Sequence, residues 1–206
     1  MKTEVIPTSA PNAISAALEF LHAGKLVAFP TDTVYGVGTF AFNGKAARHI
    51  YTVKKRPPDK AIPILLGDIS QILLVAMNLP ESALKLAEFF WPGALTLIVP
   101  KHPNIPQDIS SLDTVGVRIP DHNFTRALLN ATGPMAVTSA NISGQNSPVD
   151  AGEVYAQLNG SLPLILDGGR TAGNLSSTVI DCTGEEVVIL REGPISLKEI
   201  QAILKN

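Results

Sequence analysis

A dense cluster of basic residues is the first feature of this sequence that could do chemistry. Six of its sixteen lysines and arginines lie between residues 45 and 60, a window that holds a single acid, Asp59. The pattern predicts a helix end and then a proline-restricted turn, where a rigid backbone can bring cations to one point. A polyphosphate suits such a group, and we expect Lys54, Arg56 and Lys60 to bind one. The other three basic residues of the window are expected on a solvent-facing surface: Lys45, Arg48 and Lys55.

A second group of polar residues follows an apolar strand later in the chain. The segment Val137–Gly144 offers hydroxyls, an amide and small residues that expose backbone N–H groups. Taken alone, it is equally typical of an ordinary capped turn. Arg118 and Arg191 occupy strand positions beside apolar neighbours. Each arginine could form a structural ion pair or bind a ligand carboxylate, and the sequence leaves both readings open.

Length and composition limit the classes of protein that these residues can serve. The chain has 206 residues, is 45% hydrophobic and carries a formal net charge of −2. One domain spanning residues 1–206 is expected, and the acidic balance gives no general case for binding nucleic acid or anionic membrane. A lone cysteine, Cys182, excludes an internal disulfide framework. The N-terminus lacks an apolar signal region, so we expect a cytoplasmic protein.

Standard catalytic and nucleotide motifs do not account for the polar residues. Residues 38–46 resemble a P-loop with an extra residue and no Ser or Thr after the lysine, and residues 36–41 resemble a dinucleotide fingerprint placed too far from a helix. The four histidines lack metal-ligand spacing, so no protein-held metal is expected. Neither a serine nucleophile elbow nor a cysteine-protease signature is present.

The elements that must position these residues alternate irregularly between strands and helices. We predict an α/β sandwich with a mixed, twisted sheet. Residues 31–38 are expected to form a loop because of Pro30 and two glycines, and Pro63 is expected to put part of strand 62–66 at an edge or a bulge. Helices are predicted at residues 12–24, 45–54, 69–76, 81–90, 124–130, up to 158, and 197–204. Further strands are predicted at residues 26–29, 95–99, 115–119, 135–138, 164–166, 177–182 and 186–191.

Six short motifs, in this order along the chain, resemble one known family. They are Pro30-Thr31-Asp32-Thr33-Val34-Tyr35-Gly36, Lys54-Lys55-Arg56-Pro57, Trp91-Pro92-Gly93, Val117-Arg118-Ile119-Pro120, Ser139-Ala140-Asn141 and Leu190-Arg191-Glu192-Gly193-Pro194. Together they are similar to the YrdC-like family of threonylcarbamoyl-AMP synthases, over residues 12 to 195. The resemblance implies a YrdC-like twisted mixed β-sheet flanked by helices, with a concave basic cleft.

The resemblance also implies a reaction and its substrates. L-threonine, bicarbonate and ATP would give threonylcarbamoyl-adenylate and pyrophosphate. This is nucleotidyl transfer, and it would supply the tRNA threonylcarbamoyl-transferase machinery that makes threonylcarbamoyladenosine beside the anticodon. ATP would be a substrate, with Mg²⁺ assisting, and no tightly bound cofactor is expected.

The resemblance assigns roles to individual positions of this chain. Threonine would be held by four residues: Thr33, Arg118, Val137 and Ser177. ATP would be held by eight residues: Lys54, Arg56, Lys60, Thr114, Ser139, Asn141, Ser147 and Arg191. Catalysis would depend most on four of these: Lys54, Arg56, Ser139 and Asn141. Orientation and charge stabilisation could suffice for the reaction, so no general base is assigned.

Two departures and one alternative accompany this interpretation. Some relatives carry a histidine where this chain has Leu65, and longer relatives append a second domain. A double-stranded RNA- or tRNA-binding module that uses the basic window is the alternative function, and weak RNA binding could also accompany the synthase. Overall acidity and the lack of aromatic residues for stacking within the basic run count against the alternative.

Overall fold

The computed structural model describes residues 2–173 and 175–205. Its strands are β1 (Glu4–Pro7), β2 (Val27–Phe29), β3 (Gly36–Phe40), β4 (Ile64–Leu65), β5 (Leu95–Pro100), β6 (Thr114–Arg118), β7 (Met135–Ser139), β8 (Leu164–Asp167), β9 (Thr178–Asp181) and β10 (Val188–Arg191). Its helices are α1 (Ala13–His22), α2 (Gly44–Lys54), α3 (Glu81–Phe90), α4 (Asn123–Thr132), α5 (Ala151–Leu158) and α6 (Leu197–Leu204), with a 3₁₀ helix at Ile69–Leu74.

All ten strands belong to one mixed sheet, in the order β1-β8-β2-β3-β7-β4-β6-β5-β9-β10. The pairs β1·β8, β2·β8, β4·β6 and β5·β9 are parallel, and the others are antiparallel. The prediction of a mixed sheet flanked by helices is therefore confirmed. None of the helices in the described ranges is long and apolar enough to cross a membrane.

Two buried clusters form because side chains alternate across the sheet. Along β7, for example, Met135 and Val137 enter one cluster while Ala136 enters the other. The smaller cluster packs against α1 and α4, and the larger one against α2, α3, α5 and α6. This alternation explains why both faces of the sheet require helices.

The loop predicted at residues 31–38 is wrong from Gly36 onward, because β3 begins there. A Cβ atom on Gly36 would lie 2.7 Å from Val137 Cγ1, and one on Gly38 would lie 2.6 Å from the Ala136 carbonyl oxygen. These glycines therefore allow β3 to pack closely against β7, and they do not mark a turn. A glycine can therefore be required by a strand that is distant in the sequence but adjacent in the fold.

The strand predicted at residues 62–66 is shorter than expected, and its position in the sheet is central. Only Ile64 and Leu65 form ladder pairs, and they lie between β6 and β7 inside the sheet, so of the two expected alternatives, an edge or a bulge, the edge is wrong. Pro63 has no N–H to donate, but its carbonyl accepts from Val137 N at 2.9 Å. The proline limits the length of this strand without moving it to the edge.

Smaller differences concern the ends of elements. Strand β1 was missed, and the helix expected at residues 69–76 is a 3₁₀ helix that ends at Leu74. Asn12 occupies the N-cap of α1, as predicted, but its side chain makes no capping hydrogen bond. The antiparallel pair β9·β10 and helices α2, α3 and α6 agree with prediction.

Candidate functional site

A cleft of about 520 Å³ lies over the middle of the sheet, where β3, β7, β6, β5 and β9 meet. Its lining comes from segments far apart in the chain, including the turn before β3 and the turn after α2. The cleft brings together eight of the residues predicted from the sequence: Thr33, Arg56, Lys60, Arg118, Val137, Ser139, Ser177 and Arg191.

Arg118 is the most deeply buried cation of the cleft. Its Nε donates to the Gly93 carbonyl at 2.8 Å and its Nη1 to Thr33 Oγ1 at 3.0 Å, while its Nη2 forms an ion pair with Asp32. The Arg118 side chain is only 6% exposed. Burial lowers the pKa of Arg118, and the charge of Asp32 opposes that shift. Arg118 thus forms the structural ion pair that the sequence left open, and it also lines the cleft.

The turn that carries Thr33 is organised by its neighbour Thr31. The Thr31 hydroxyl donates to the Val34 carbonyl at 2.7 Å and accepts from the N–H groups of Thr33 and Val34. Further along, the Tyr35 hydroxyl donates to the Gly169 carbonyl at 2.7 Å, and burial raises the pKa of Tyr35 to about 12. The turn is therefore held from both sides, which fixes Thr33 beside Arg118.

Arg56 and Lys60 lie in the turn after α2. Lys55 adopts a left-handed conformation with φ of 50°, which turns the chain away from the helix axis. Arg56 then donates from Nε to the Lys60 carbonyl at 3.1 Å and from Nη2 to the Ala61 carbonyl at 2.8 Å. Burial lowers the pKa of Arg56. The guanidinium thus braces its own turn while still lining the cleft.

Arg191 forms the opposite wall together with Ser177. It donates from Nε and Nη2 to the Ser177 carbonyl, at 3.0 and 2.7 Å, and from Nη2 to Ser177 Oγ at 3.1 Å. Burial lowers the pKa of Arg191, and the positive charges of Arg118 and Arg56 lower it further. Thr96 Oγ1 lies 2.8 Å from Ser177 Oγ and lines the cleft. Sequence reasoning missed Thr96, since a threonine inside a strand gives no signal of its own.

Lys54 does not line the cleft. It is 1% exposed, and its Nζ donates to the backbone carbonyls of Ser139 and Asn141 and to Asn141 Oδ1 at 3.3 Å. Burial, followed by the charge of Arg56, lowers the pKa of Lys54 to about 7. The amide nitrogen of Asn141 donates to the carbonyls of Ile142 and Gln145, at 2.8 Å each. Lys54 and Asn141 thus fix the loop that presents Ser139.

Two other predicted ATP-binding residues also lie outside the lining of the cleft. Thr114 is partly buried at the start of β6, where its carbonyl accepts from Ser110 Oγ at 2.8 Å. Ser147 is partly buried in the segment between β7 and α5. The cleft also contains Thr31, which belongs to a predicted motif but was given no role, and Leu65, at the position where some relatives carry histidine.

The cleft contains cations, hydroxyls and backbone groups, and it suits anions better than metal ions. Residues 2–173 and 175–205 hold no group of three or more His, Cys, Asp or Glu side chains that could bind a metal. Arginine on a rigid backbone is well suited to carboxylate and phosphate oxygens. The arrangement can therefore hold a small carboxylate next to a phosphate chain.

Fold and cleft together define an α/β protein with a twisted mixed sheet and a depression above its centre whose lining includes Arg56, Lys60, Arg118 and Arg191. Residues 19–193 match the sequence profile of the Sua5/YciO/YrdC family, described as "Telomere recombination". The chain belongs to this family, as its six motifs predicted.

Individual relatives agree with this assignment. The chain is 42% identical to the threonylcarbamoyl-AMP synthase of Pyrococcus abyssi over 193 residues, which cover 93% of this chain and 57% of that protein. It is 38% identical to a putative threonylcarbamoyl-AMP synthase of Mycobacterium tuberculosis strain H37Rv, covering 96% of this chain and 92% of the relative. The chain thus spans little more than half of the archaeal protein but nearly all of the mycobacterial one.

Solved structures give the same result for the fold. The crystal structure of Pyrococcus abyssi Sua5 complexed with L-threonine superposes with a TM-score of 0.94 at 40% identity. The superposition covers 98% of this chain and 61% of that one. A protein of the same fold therefore binds the amino acid that the motifs led us to expect.

Proposed function

We propose that this chain catalyses the formation of L-threonylcarbamoyladenylate and pyrophosphate from L-threonine, bicarbonate and ATP. One observation carries the proposal. A single cleft joins a buried arginine next to a threonine hydroxyl, Arg118 and Thr33, to three further cations, Arg56, Lys60 and Arg191. The names of the relatives and the threonine complex of the archaeal protein support the choice of substrate.

The reaction has two steps that balance without an added oxidant or reductant. The threonine amine attacks the carbon of bicarbonate, and loss of water leaves a carbamate. A carbamate oxygen then attacks the α-phosphorus of ATP, and the bond to the β-phosphate oxygen breaks, releasing pyrophosphate. Three anionic groups must meet in this sequence, so cations and backbone dipoles must offset their repulsion.

The proposed roles follow the position of each side chain. Arg118 would bind the threonine carboxylate, with Thr33, Ser177 and the Val137 backbone around it. Arg56, Lys60 and Arg191 would bind the phosphates, and Ser139 would face the nucleotide.

Four of the predicted residues would act from outside the cleft lining. Lys54 and Asn141 would act by fixing the Ser139 loop, because their polar atoms bond to that loop. Thr114 and Ser147 would contact parts of ATP that extend beyond the cleft.

The wider biochemistry is part of the same proposal. The enzyme would be a nucleotidyltransferase in the cytoplasm, and its unstable product would pass to the machinery that threonylcarbamoylates tRNA. Mg²⁺ would enter on the phosphates of ATP, since the cleft lining has no carboxylate to hold it. Bound there, it would neutralise phosphate charge.

The test is an assay of pyrophosphate release. The purified chain is incubated with ATP, bicarbonate and Mg²⁺, with and without L-threonine, and threonine-dependent release is expected. Release that does not depend on threonine would overturn the proposal. Salt-sensitive binding of double-stranded RNA without ATP, together with no release, would favour the RNA-binding alternative instead.

A further inference from the structure

The carboxylate of Asp32 has no role in the chemistry above, yet it forms the ion pair with Arg118. Asp32 precedes Thr33 in the chain, and its side chain is 14% exposed. Asp32 contacts the Arg118 guanidinium through Nη2, but it does not belong to the residues that line the cleft. Its backbone is held as well, because the Asp32 carbonyl accepts from Gly173 N at 3.1 Å.

The cations of the cleft fall into two classes because of this carboxylate. Among the described residues, Arg118 is paired with a carboxylate, whereas Arg56, Lys60 and Arg191 form no ion pair. Arg56 and Arg191 donate only to neutral oxygens. The cleft therefore holds one guanidinium that is ion-paired with a carboxylate and three cations that are not.

The difference in charge matters for the choice of ligand. A polyphosphate carries several negative charges and is attracted most strongly to uncompensated cations. A zwitterionic amino acid has no net charge, and its carboxylate needs directed hydrogen bonds more than it needs net charge. An unpaired Arg118 would attract phosphate as strongly as its neighbours do.

Resting on the proposed function, we infer that Asp32 is a positioning residue that reserves Arg118 for the amino-acid carboxylate and excludes phosphate from that end of the cleft. The carboxylate fixes the rotation of the guanidinium through Nη2, while the Gly93 carbonyl fixes Nε. With the rotation of the guanidinium fixed, its remaining N–H groups would be available to the amino-acid carboxylate in one orientation. Asp32 thus acts on specificity through Arg118 and touches neither substrate.

The substitution Asp32→Asn tests this role, because it keeps the shape and the Oδ1 acceptor and removes only the charge. Threonine-dependent pyrophosphate release is measured with varied threonine and varied ATP. The KM for threonine is expected to rise about tenfold, a change worth about 1.4 kcal/mol, with the KM for ATP within about twofold of wild type. Added pyrophosphate is expected to compete against ATP alone in the wild type, and against both threonine and ATP in Asp32→Asn.

Two further variants make the test decisive. Asp108→Asn is the matched control, because Asp108 also pairs with an arginine, Arg48, but on an exposed surface outside the cleft; it should leave both KM values unchanged. Asp32→Glu keeps the charge and should retain the wild-type inhibition pattern, so it serves as the test even where Asp32→Asn does not fold.

The outcomes separate this inference from the proposed function. Wild-type release that requires threonine upholds the proposed function whatever the variants do. Unchanged threonine kinetics and pyrophosphate competition against ATP alone in a folded Asp32→Asn would overturn the role of Asp32. Pyrophosphate competition against threonine in Asp32→Glu would overturn it equally.

Discussion

The arginines of the cleft are held in two opposite ways. Arg118 is buried, paired with Asp32 and bonded on three nitrogens, while Arg56 and Arg191 donate to backbone carbonyls and lack a carboxylate partner within the described chain. A carboxylate partner reduces the electrostatic field of an arginine without removing its directed N–H groups. A carbonyl partner fixes the orientation of the guanidinium and leaves its positive field almost unchanged. Arg118 is therefore suited to recognition by shape, and Arg56 and Arg191 are suited to recognition by charge.

Loss of a phosphate-end cation should have the largest effect. We predict that Arg56→Ala lowers threonine-dependent pyrophosphate release by about 10³-fold, since a transition-state charge loses its stabilising cation. Steady-state kinetics measure the effect, and circular dichroism should show an intact fold. Lys45→Ala is the control, because Lys45 lies in the same basic window but is exposed. Near-normal turnover of Arg56→Ala would mean that the phosphate end is elsewhere.

Removal of the carboxylate-end cation should affect one substrate selectively. Arg118→Gln is expected to lower kcat/KM for threonine about 100-fold, because a buried, hydrogen-bonded cation is lost and Asp32 is left unpaired. The KM for ATP should change little. Steady-state kinetics with each substrate varied in turn check the prediction, and an equal loss for both would remove the distinction between Arg118 and the other cations of the cleft.

The support beneath the cleft should have a smaller effect. Lys54→Met keeps the length of the side chain but leaves the carbonyls of Ser139 and Asn141 without their donor. We expect a loss of about 2–3 kcal/mol in the free energy of unfolding and a roughly tenfold loss of activity through the loosened Ser139 loop. Urea denaturation and the release assay measure the two effects. Full activity of Lys54→Met would show that the position of Ser139 does not depend on the hydrogen bonds from Lys54.

The smallest expected effect, per pH unit, is a dependence of stability on pH. The pKa of Lys54 falls from 10.5 to about 7 on folding. Below pH 7 both states are protonated and the cost of the buried charge is fully present. Between the two pKa values the unfolded chain binds the extra proton, so the free energy of unfolding rises with pH, by at most about 1.4 kcal/mol per unit.

Comparison with Lys54→Met isolates the contribution of Lys54 to the pH dependence of stability. The stability of the wild type relative to Lys54→Met should increase between pH 7 and pH 9, because other titrating groups contribute to both proteins. Urea titrations at pH 6, 7.5 and 9 provide the measurement. A difference that stays constant across this range would mean that Lys54 keeps an ordinary pKa.

Local signals in the sequence predicted much of this fold. Apolar residues at helical spacing located α2, and the Thr183-Gly184 turn located the β9·β10 pair. Prediction failed where a distant neighbour decides the structure. Gly36 and Gly38 have a local preference for turns, but close packing against β7 places them in a strand.

The candidate site shows the same limit. Motifs identified Arg118, Arg56 and Ser139, and the structure brings these side chains into one cleft. The Asp32 pair could not be predicted, because its partner lies 86 residues away and nothing in the motif indicates a contact. The burial of the Lys54 side chain could not be predicted either, since a lysine at a helix end is usually exposed.

The close packing of β3 on β7 has a consequence for how this cleft can vary. Gly36 and Val137 both line the cleft where the strands meet, and a Cβ atom on Gly36 would lie only 2.7 Å from Val137 Cγ1. A side chain is therefore poorly tolerated at Gly36, so this part of the floor presents peptide groups. New ligand preferences in descendants of this protein would more readily arise at lining positions that already carry a side chain, such as Leu65.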